Sequence, residues 1–280
     1  MKILDRDMVG EILLPLEENI SKRDAGSILL VAGGNNMAGA AILAANGALR
    51  SGAGLVRVRT HRENFSAINA RLPEAICVDI DEKIDIEKFD AIGIGPGMGT
   101  GGLTKSELEG ILREYKGSLV IDADGLNVVS KSSVLKSLIK GYPGNLVLTP
   151  HEGEAARLLG IEYNGRLMEN EREEICKRLI EEFGCTIVLK GSHSLIGSPN
   201  GIIENKIGNP GMATGGSGDV LTGIVTAFLG KGIAAEEAAR AGVYVHARGG
   251  DMAREKFGSY GMKAGDIADC VAFAIKEIIP

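Results

Sequence analysis

The segment 208–223, GNPGMATGGSGDVLTG, runs from a glycine-rich loop straight into an apolar helix. Amide N–H groups at a helix start have no partner within the helix, and the local dipole adds to their pull on anions. Gly215, Gly216, Ser217 and Gly218 are small enough for phosphate oxygens to reach those amides. No Lys-Ser/Thr pair follows the last glycine, so the segment is not a Walker A loop. Asp219 falls in the first helical turn. An aspartate there can simply cap the helix. A cap does not call for four small residues before it, so the segment reads as a phosphate site with a carboxylate beside it.

Around this segment, short apolar runs alternate with amphipathic stretches. Strands are predicted at 27–32 (SILLVA), 55–59 (LVRVR), 75–79 (AICVD), 89–94 (FDAIGI), 118–122 (SLVID), 145–148 (NLVL) and 186–189 (TIVL). Helices are predicted over 37–51, 103–115, 151–159, 169–183, 218–229 and 234–253. Residues 194–196 and 202–204 flank the turn Ser198-Pro199-Asn200-Gly201 and read as a hairpin. Strands alternating with helices imply a mostly parallel central sheet covered on both faces, an α/β three-layer αβα arrangement. With no linker, charge block or repeat to divide it, 1–280 is expected to be one domain. Ligands in such sheets sit at the carboxyl ends of the strands.

Composition narrows the class. Lys plus Arg is 31 and Asp plus Glu is 37, a net charge of −6, which argues against general nucleic-acid binding. Aromatics are 4% with no Trp, so base-stacking platforms are scarce as well. Forty glycines fall in clusters just after apolar runs, where backbone must approach something closely. Cys77, Cys176, Cys185 and Cys270 form no CxxC pair and read as reduced thiols of a cytoplasmic protein. No apolar run is long enough to span a membrane, and the charged N-terminal stretch is unlike a signal peptide.

Four more motifs follow strands. Thr149-Pro150-His151-Glu152-Gly153-Glu154 fits a capping box from Thr149 to Glu152, which leaves His151 and Gly153 unexplained. His151 is as compatible with a plain surface residue as with a ligand contact. Residues 93–102, GIGPGMGTGG, hold a literal GxGxxG at Gly97, Gly99 and Gly102, with Asp122 twenty residues on. The same glycines could instead form a wall for a bulky substrate. Asp122 and Asp124 in VIDADGLN could hold Mg²⁺ through water or form an Asx turn. Lys190-Gly191-Ser192-His193-Ser194 could bring a lysine to a phosphate or make a hairpin turn. His246 lies in a small-residue helix and reads as a packed histidine.

Five ordered blocks, VAGGNNMAGAAILAANGALRSGAGLV, GIGPGMG, VIDADGLN, LTPHEGE and NPGMATGGSGDVLTG, together resemble the ADP/ATP-dependent NAD(P)H-hydrate dehydratases of the ribokinase-like superfamily. The likeness spans about residues 26–266. It implies a ribokinase-like fold and repair of the nicotinamide hydrates NADHX and NADPHX. ADP or ATP would phosphorylate the hydrate's hydroxyl, and loss of phosphate would restore the ring. Asp219 would then be the general base. The amides of Gly215, Gly216, Ser217 and Gly218 would stabilise the transferred phosphoryl, so Gly216 and Gly218 join Asp219 in the catalytic set. Lys190, Gly191, Ser192, His193 and Ser194, with Asn209, Pro210, Gly211, Met212, Ala213, Thr214, Gly215, Gly216, Ser217 and Gly218, would hold the adenine nucleotide. Ala40, Gly97, Gly99, His151, Glu152, Gly153, Glu154 and Asp219 would contact the hydrated cofactor. Asp122 and Asn127 are weaker candidates near Mg²⁺. Glu152 stands where many relatives carry Pro, and the extra N-terminal epimerase domain of fused relatives is not recognised. The resemblance further implies a homotetramer and functional pairing with a separate NAD(P)HX epimerase. Two other activities fit parts of the pattern: a ribokinase-like kinase for a hydroxymethyl-pyrimidine, thiazole alcohol or sugar, and a Rossmann-type NAD-binding oxidoreductase using Gly97, Gly99, Gly102 and Asp122. A non-catalytic nucleotide scaffold would leave Asp219 without a task.

Overall fold

Residues 27–31 are buried at every position, and their side chains divide between two cores. Ile28 and Leu30 join one apolar cluster, while Leu29 and Val31 join another on the opposite face. A strand whose alternate residues enter separate cores must lie inside a sheet covered on both sides. The computed structural model describes residues 1–165 and 167–279. Its elements in chain order are β1 (Lys2–Ile3), α1 (Arg6–Gly10), β2 (Ser27–Val31), α2 (Ala38–Arg50), β3 (Leu55–Thr60), α3 (Phe65–Arg71), β4 (Ile76–Asp79), β5 (Ala91–Ile94), α4 (Gly102–Glu114), β6 (Ser118–Ile121), α5 (Ala123–Ser130), α6 (Ser133–Lys140), β7 (Leu146–Leu148), α7 (Glu152–Leu159), α8 (Glu169–Phe183), β8 (Thr186–Leu189), β9 (Ser194–Ser198), β10 (Gly201–Asn205), α9 (Ser217–Gly230), α10 (Ala235–Gly261) and α11 (Ala264–Ile278).

The ten strands form one sheet in the order β1-β10-β9-β8-β7-β6-β5-β2-β3-β4. Only β9 runs against its neighbours, as the middle strand between β8 and β10. Helices α2, α9, α10 and α11 cover one face, and α4 to α8 cover the other. The chain leaves β2 towards β3 and β4, then returns to place β5 on the opposite side of β2. That reversal opens a crevice at the carboxyl ends of β2 and β5, the place where open α/β sheets bind ligands.

Helix α9 packs on α2 at backbone contact. A Cβ on Gly47 would meet the Val220 carbonyl, and one on Gly223 would collide with the Ala44 carbonyl. Larger side chains at either glycine would push the helices apart and empty the core between them.

The expected strands and helices are present, and the hairpin is longer than expected. It pairs Gly201 with Ser198 and Asn205 with Ser194 around a Pro199-Asn200 turn. Five helices were not foreseen: α1, α3, α5, α6 and α11; nor was the short strand β1. Helix α10 also runs past 253, through a non-helical kink at Gly258. Among the described residues no helix is long and apolar enough to cross a membrane.

Candidate active site

The loop before α9 is built by side chains that fix its backbone. Asn209 accepts from the Gly211 amide at 3.0 Å and donates to the Gly250 carbonyl at 2.9 Å and to Asp251 Oδ1 at 3.0 Å. The turn at Pro210–Met212 is thereby pinned to α10. Gly216 then takes φ +91 as the residue before α9, where its missing Cβ leaves room for Leu43. This left-handed turn swings the chain so that the first amides of α9 face out of the sheet's carboxyl end.

Beneath those amides lies a buried polar cluster. Lys190, just past β8, places Nζ 2.6 Å from Asp122 Oδ1 and 3.8 Å from Glu154 Oε2. Thr222 Oγ1 donates to the other Asp122 oxygen at 2.6 Å. A Cβ on Gly218 would sit 3.2 Å from Lys190 Nζ and 3.7 Å from Asp122 Oδ2, so the ammonium lies directly under the first turn of α9. Burial opposes the charge on Lys190, but Asp122 and Glu154 outweigh it and raise its pKa. Asp219 moves the same way for a different reason. Burial, then the Asp122 charge, push its carboxyl up to about 6, against the pull of Lys190. A carboxylate with that affinity is a far better proton acceptor than an exposed aspartate.

A cavity of about 710 Å³ opens beside this cluster. Its walls include Lys190, Gly191, Ser192, His193 and Ser194 from the loop after β8, Asn209, Pro210, Met212 and Ala213 from the loop before α9, and Ser217 and Gly218 from the helix start. The two segments expected to hold a nucleotide thus share one cavity. Gly211, Thr214, Gly215 and Gly216 belong to the same loop but do not line it.

His151 borders the cavity and also caps α7. Its Nδ1 accepts from Gly153 N at 3.0 Å and Glu154 N at 3.4 Å, while Glu154 Oε2 accepts from His151 N at 2.8 Å. The capping box therefore runs from His151 to Glu154, two residues beyond the Thr149–Glu152 pair expected. Burial, then Lys190, lower the His151 pKa, so its ring is neutral near pH 7. Glu152 instead pairs with Arg172 Nε at 3.1 Å and accepts from Tyr163 Oη at 3.2 Å, away from the cavity.

Of the remaining expected residues, Ala40, Gly97 and Gly99 lie at the crevice between β2 and β5. A Cβ on Gly97 would sit 2.7 Å from Ala40 Cβ, so Ala40 and Gly97 are immediate neighbours. Gly99 N donates to Asp124 Oδ2 at 2.7 Å, which ties this loop to α5. Asp122 is 1% exposed and has both oxygens engaged, so it offers nothing to a ribose. With β2, β3 and β4 preceding the loop, the dinucleotide-oxidoreductase geometry is not formed. As metal ligands Asp122 and Asn127 fit poorly. Asn127 Oδ1 accepts from Arg157 Nε at 3.0 Å, and Asp122 is 1% exposed with Lys190 and Thr222 already on its two oxygens.

Sequence reasoning missed some of the lining residues. Val243, His246 and Ala247 reach the cavity from one face of α10, and Asn205, Lys206 and Ile207 from the end of β10. His246 Nε2 lies 3.3 Å from Ser217 Oγ, and burial lowers its pKa to about 4, so a neutral imidazole steadies the start of α9. The i, i+3, i+4 spacing of Val243, His246 and Ala247 was the available clue.

The sequence profile described as NAD(P)H-hydrate dehydratase matches residues 28–272. The chain belongs to the NAD(P)H-hydrate dehydratase family. It is 37% identical over 255 residues to the ADP-dependent (S)-NAD(P)H-hydrate dehydratase of Neisseria meningitidis, covering 90% of this chain and 85% of that protein. It is 35% identical to the bifunctional NAD(P)H-hydrate repair enzyme Nnr of Moorella thermoacetica, of which it spans 50%. The crystal structure of the Bacillus subtilis ADP/ATP-dependent NAD(P)H-hydrate dehydratase, co-crystallised with ATP and Mg²⁺, superposes with a TM-score of 0.88 at 28% identity, covering 99% of this chain and 98% of that one. The family's ribokinase-like αβα arrangement is the one found here.

Proposed function

We propose that this chain dehydrates the S epimers of NADHX and NADPHX to NADH and NADPH, with ADP or ATP as co-substrate and AMP or ADP plus phosphate as products. The observation that carries this reading is the placement of Asp219. A carboxylate with a pKa raised to about 6 stands one residue beyond Gly218, whose helix start lies over the Lys190 ammonium and borders a nucleotide-sized cavity. Asp219 takes the proton from the hydrate's hydroxyl as its oxygen attacks the terminal phosphorus. The bond from that phosphorus to the bridging oxygen breaks, leaving AMP from ADP or ADP from ATP. The amides of Gly215, Gly216, Ser217 and Gly218 and the Lys190 ammonium stabilise the transferred charge. Hydroxide is a poor leaving group and phosphate a good one. The ring nitrogen's electron pair then expels phosphate from the adjacent carbon, and loss of the neighbouring C–H proton restores the double bond.

In this reading the nucleotide occupies the cavity between Lys190 and Ala213, and the dinucleotide lies along the crevice by Ala40, Gly97 and Gly99, with His151 at the border. Mg²⁺ would supply charge neutralisation on the nucleotide phosphates, held by them and by water in place of Asp122 and Asn127. The enzyme works in the cytoplasm as a homotetramer, paired with an epimerase that interconverts the hydrates. The exposed Phe257, Tyr260 and Phe273 on α10 and α11 supply apolar surface for assembly.

The test mixes the protein with NADHX, Mg²⁺ and ADP or ATP. The expected result is recovery of reduced-nicotinamide absorbance, matched by AMP or ADP and by free phosphate. A stable phosphate ester in place of free phosphate would instead make the chain a small-molecule kinase.

A further inference from the structure

Asp122 holds a position the fold goes to some length to create. The next residue, Ala123, adopts φ +48, a left-handed conformation that non-glycine residues seldom accept. A Cβ on Gly95, whose own φ is +126, would collide with the Asp122 carbonyl. The side chain is 1% exposed and bridges two elements distant in sequence, Lys190 after β8 and Thr222 on α9, each at 2.6 Å. Thr222 is three residues beyond Asp219 and so projects from the same side of the helix. One carboxylate therefore fastens the helix that carries Asp219 to the lysine beneath its first turn.

We infer that Asp122 is a positioning residue of the reaction: its carboxylate, and not a metal, fixes the Lys190 ammonium under the phosphate-binding start of α9 and sets the field in which Asp219 accepts its proton. The inference rests on the proposed role of Asp219. A lysine head has three N–H donors. One is committed to Asp122, and Glu154 draws the ammonium from 3.8 Å, so donor capacity remains for a phosphate oxygen at the cavity wall. Without the anchor, the flexible lysine stem would not keep that donor under the loop. The charged groups that act on Asp219 come from three elements: Asp122 beyond β6, Lys190 beyond β8 and Asp124 on α5. Glu154, at the start of α7, acts on it through Lys190; His151 beside it and His246 on α10, which meets the neighbouring Ser217, are neutral rings. Removing the Asp122 charge takes a repelling carboxylate from Asp219 and frees Lys190 to attract it. Both changes lower the proton affinity of Asp219.

The experiment uses Asp122→Asn in the full chain and measures three quantities: the pH profile of kcat/KM for the hydrate, ADP affinity by calorimetry, and the Mg²⁺ needed for half-maximal rate. The acid limb should move down by about one pH unit. ADP affinity should fall about tenfold as Lys190 loses its anchor, and the Mg²⁺ requirement should stay put. An unmoved limb, unchanged ADP affinity, or a raised Mg²⁺ requirement each overturns the proposal, the last by making Asp122 a metal ligand. If Asp122→Asn does not fold, Asp122→Glu carries the test: it keeps the charge and displaces Lys190, so ADP binding should weaken with the limb in place. Full ADP affinity in that variant overturns the proposal. Asp219→Asn is run alongside. Turnover surviving there would sink the reading of the reaction, while the ADP affinities would still report on the anchor.

Discussion

Two glycine-rich loops flank the site, and they use glycine for different ends. The loop 208–218 ends on a helix start, where its small residues expose amides above a buried ammonium. The loop 95–102 also leads into a helix, but its glycines serve contact between backbones. Gly33 N donates to the Pro96 carbonyl at 2.8 Å, and Gly97 abuts Ala40. The first loop is electrostatic and the second is steric. A glycine pattern alone does not separate them. The charges below do, because Lys190 lies under one loop, whereas the other is tied by Gly99 to the Asp124 carboxylate.

The sharpest break between the loops should come from Asp219→Asn. It should lower single-turnover dehydration by about 10²–10⁴-fold while ADP binding, measured by calorimetry, stays nearly intact. The same variant should be more stable than the wild type near neutral pH. Asp219 has a folded pKa above its unfolded value, so it destabilises the folded chain as pH rises through about 4 to 6 and the carboxylate must ionise where it is buried. Thermal melts should therefore show a gain for the variant at pH 7.5, on the order of 2 kcal/mol, that vanishes below about pH 4.

Next come paired glycine substitutions. Gly216→Ala brings a Cβ onto Leu43 at φ +91, and should raise the KM for ADP with little change in the KM for the hydrate. Gly97→Ala brings a Cβ onto Ala40 at φ +62 and should do the reverse. Each should lower stability by about 1–3 kcal/mol through backbone strain, read as a lower Tm. If both raised the same KM, the division of labour between the loops would fail. A smaller effect concerns pH. The acid limb of kcat/KM should turn near pH 6, because the proposed mechanism needs Asp219 deprotonated. The smallest effect should follow Asn127→Ala. It removes the contact with Arg157 and should alter the rate less than about threefold, with the Mg²⁺ dependence unchanged.

Much of this architecture was legible along the chain. Apolar runs such as 118–121 and 186–189 announced the strands, and the five motif blocks fall after strands or at helix starts, as a parallel sheet requires. Pairings that depend on sheet order were not legible. Lys190 and Asp122 are 68 residues apart, and Thr222 is 100 residues beyond Asp122. They meet because β6, β7 and β8 lie side by side and α9 packs on the sheet at β5 and β6. Helix α5 was hidden because it begins at Ala123 in a conformation that its residue type disfavours. Helix α11 was hidden behind the glycines and kink at 258–265. At α7 the chemistry of Thr149-Pro150 suggested a helix start that the His151 imidazole supplies instead.

The interlocked backbones of α2 and α9 have a consequence for catalysis. Helix α2 starts at Ala38, next to the crevice residue Ala40, while α9 starts at Ser217 on the cavity wall. Contact at Gly47 and Gly223 makes the two helices one stiff beam, and in the proposed function the places of donor and acceptor are both fixed to it. Their mutual aim is inherited from folding and does not have to be rebuilt at each turnover, so the entropy of bringing two large nucleotides into line is met before either arrives.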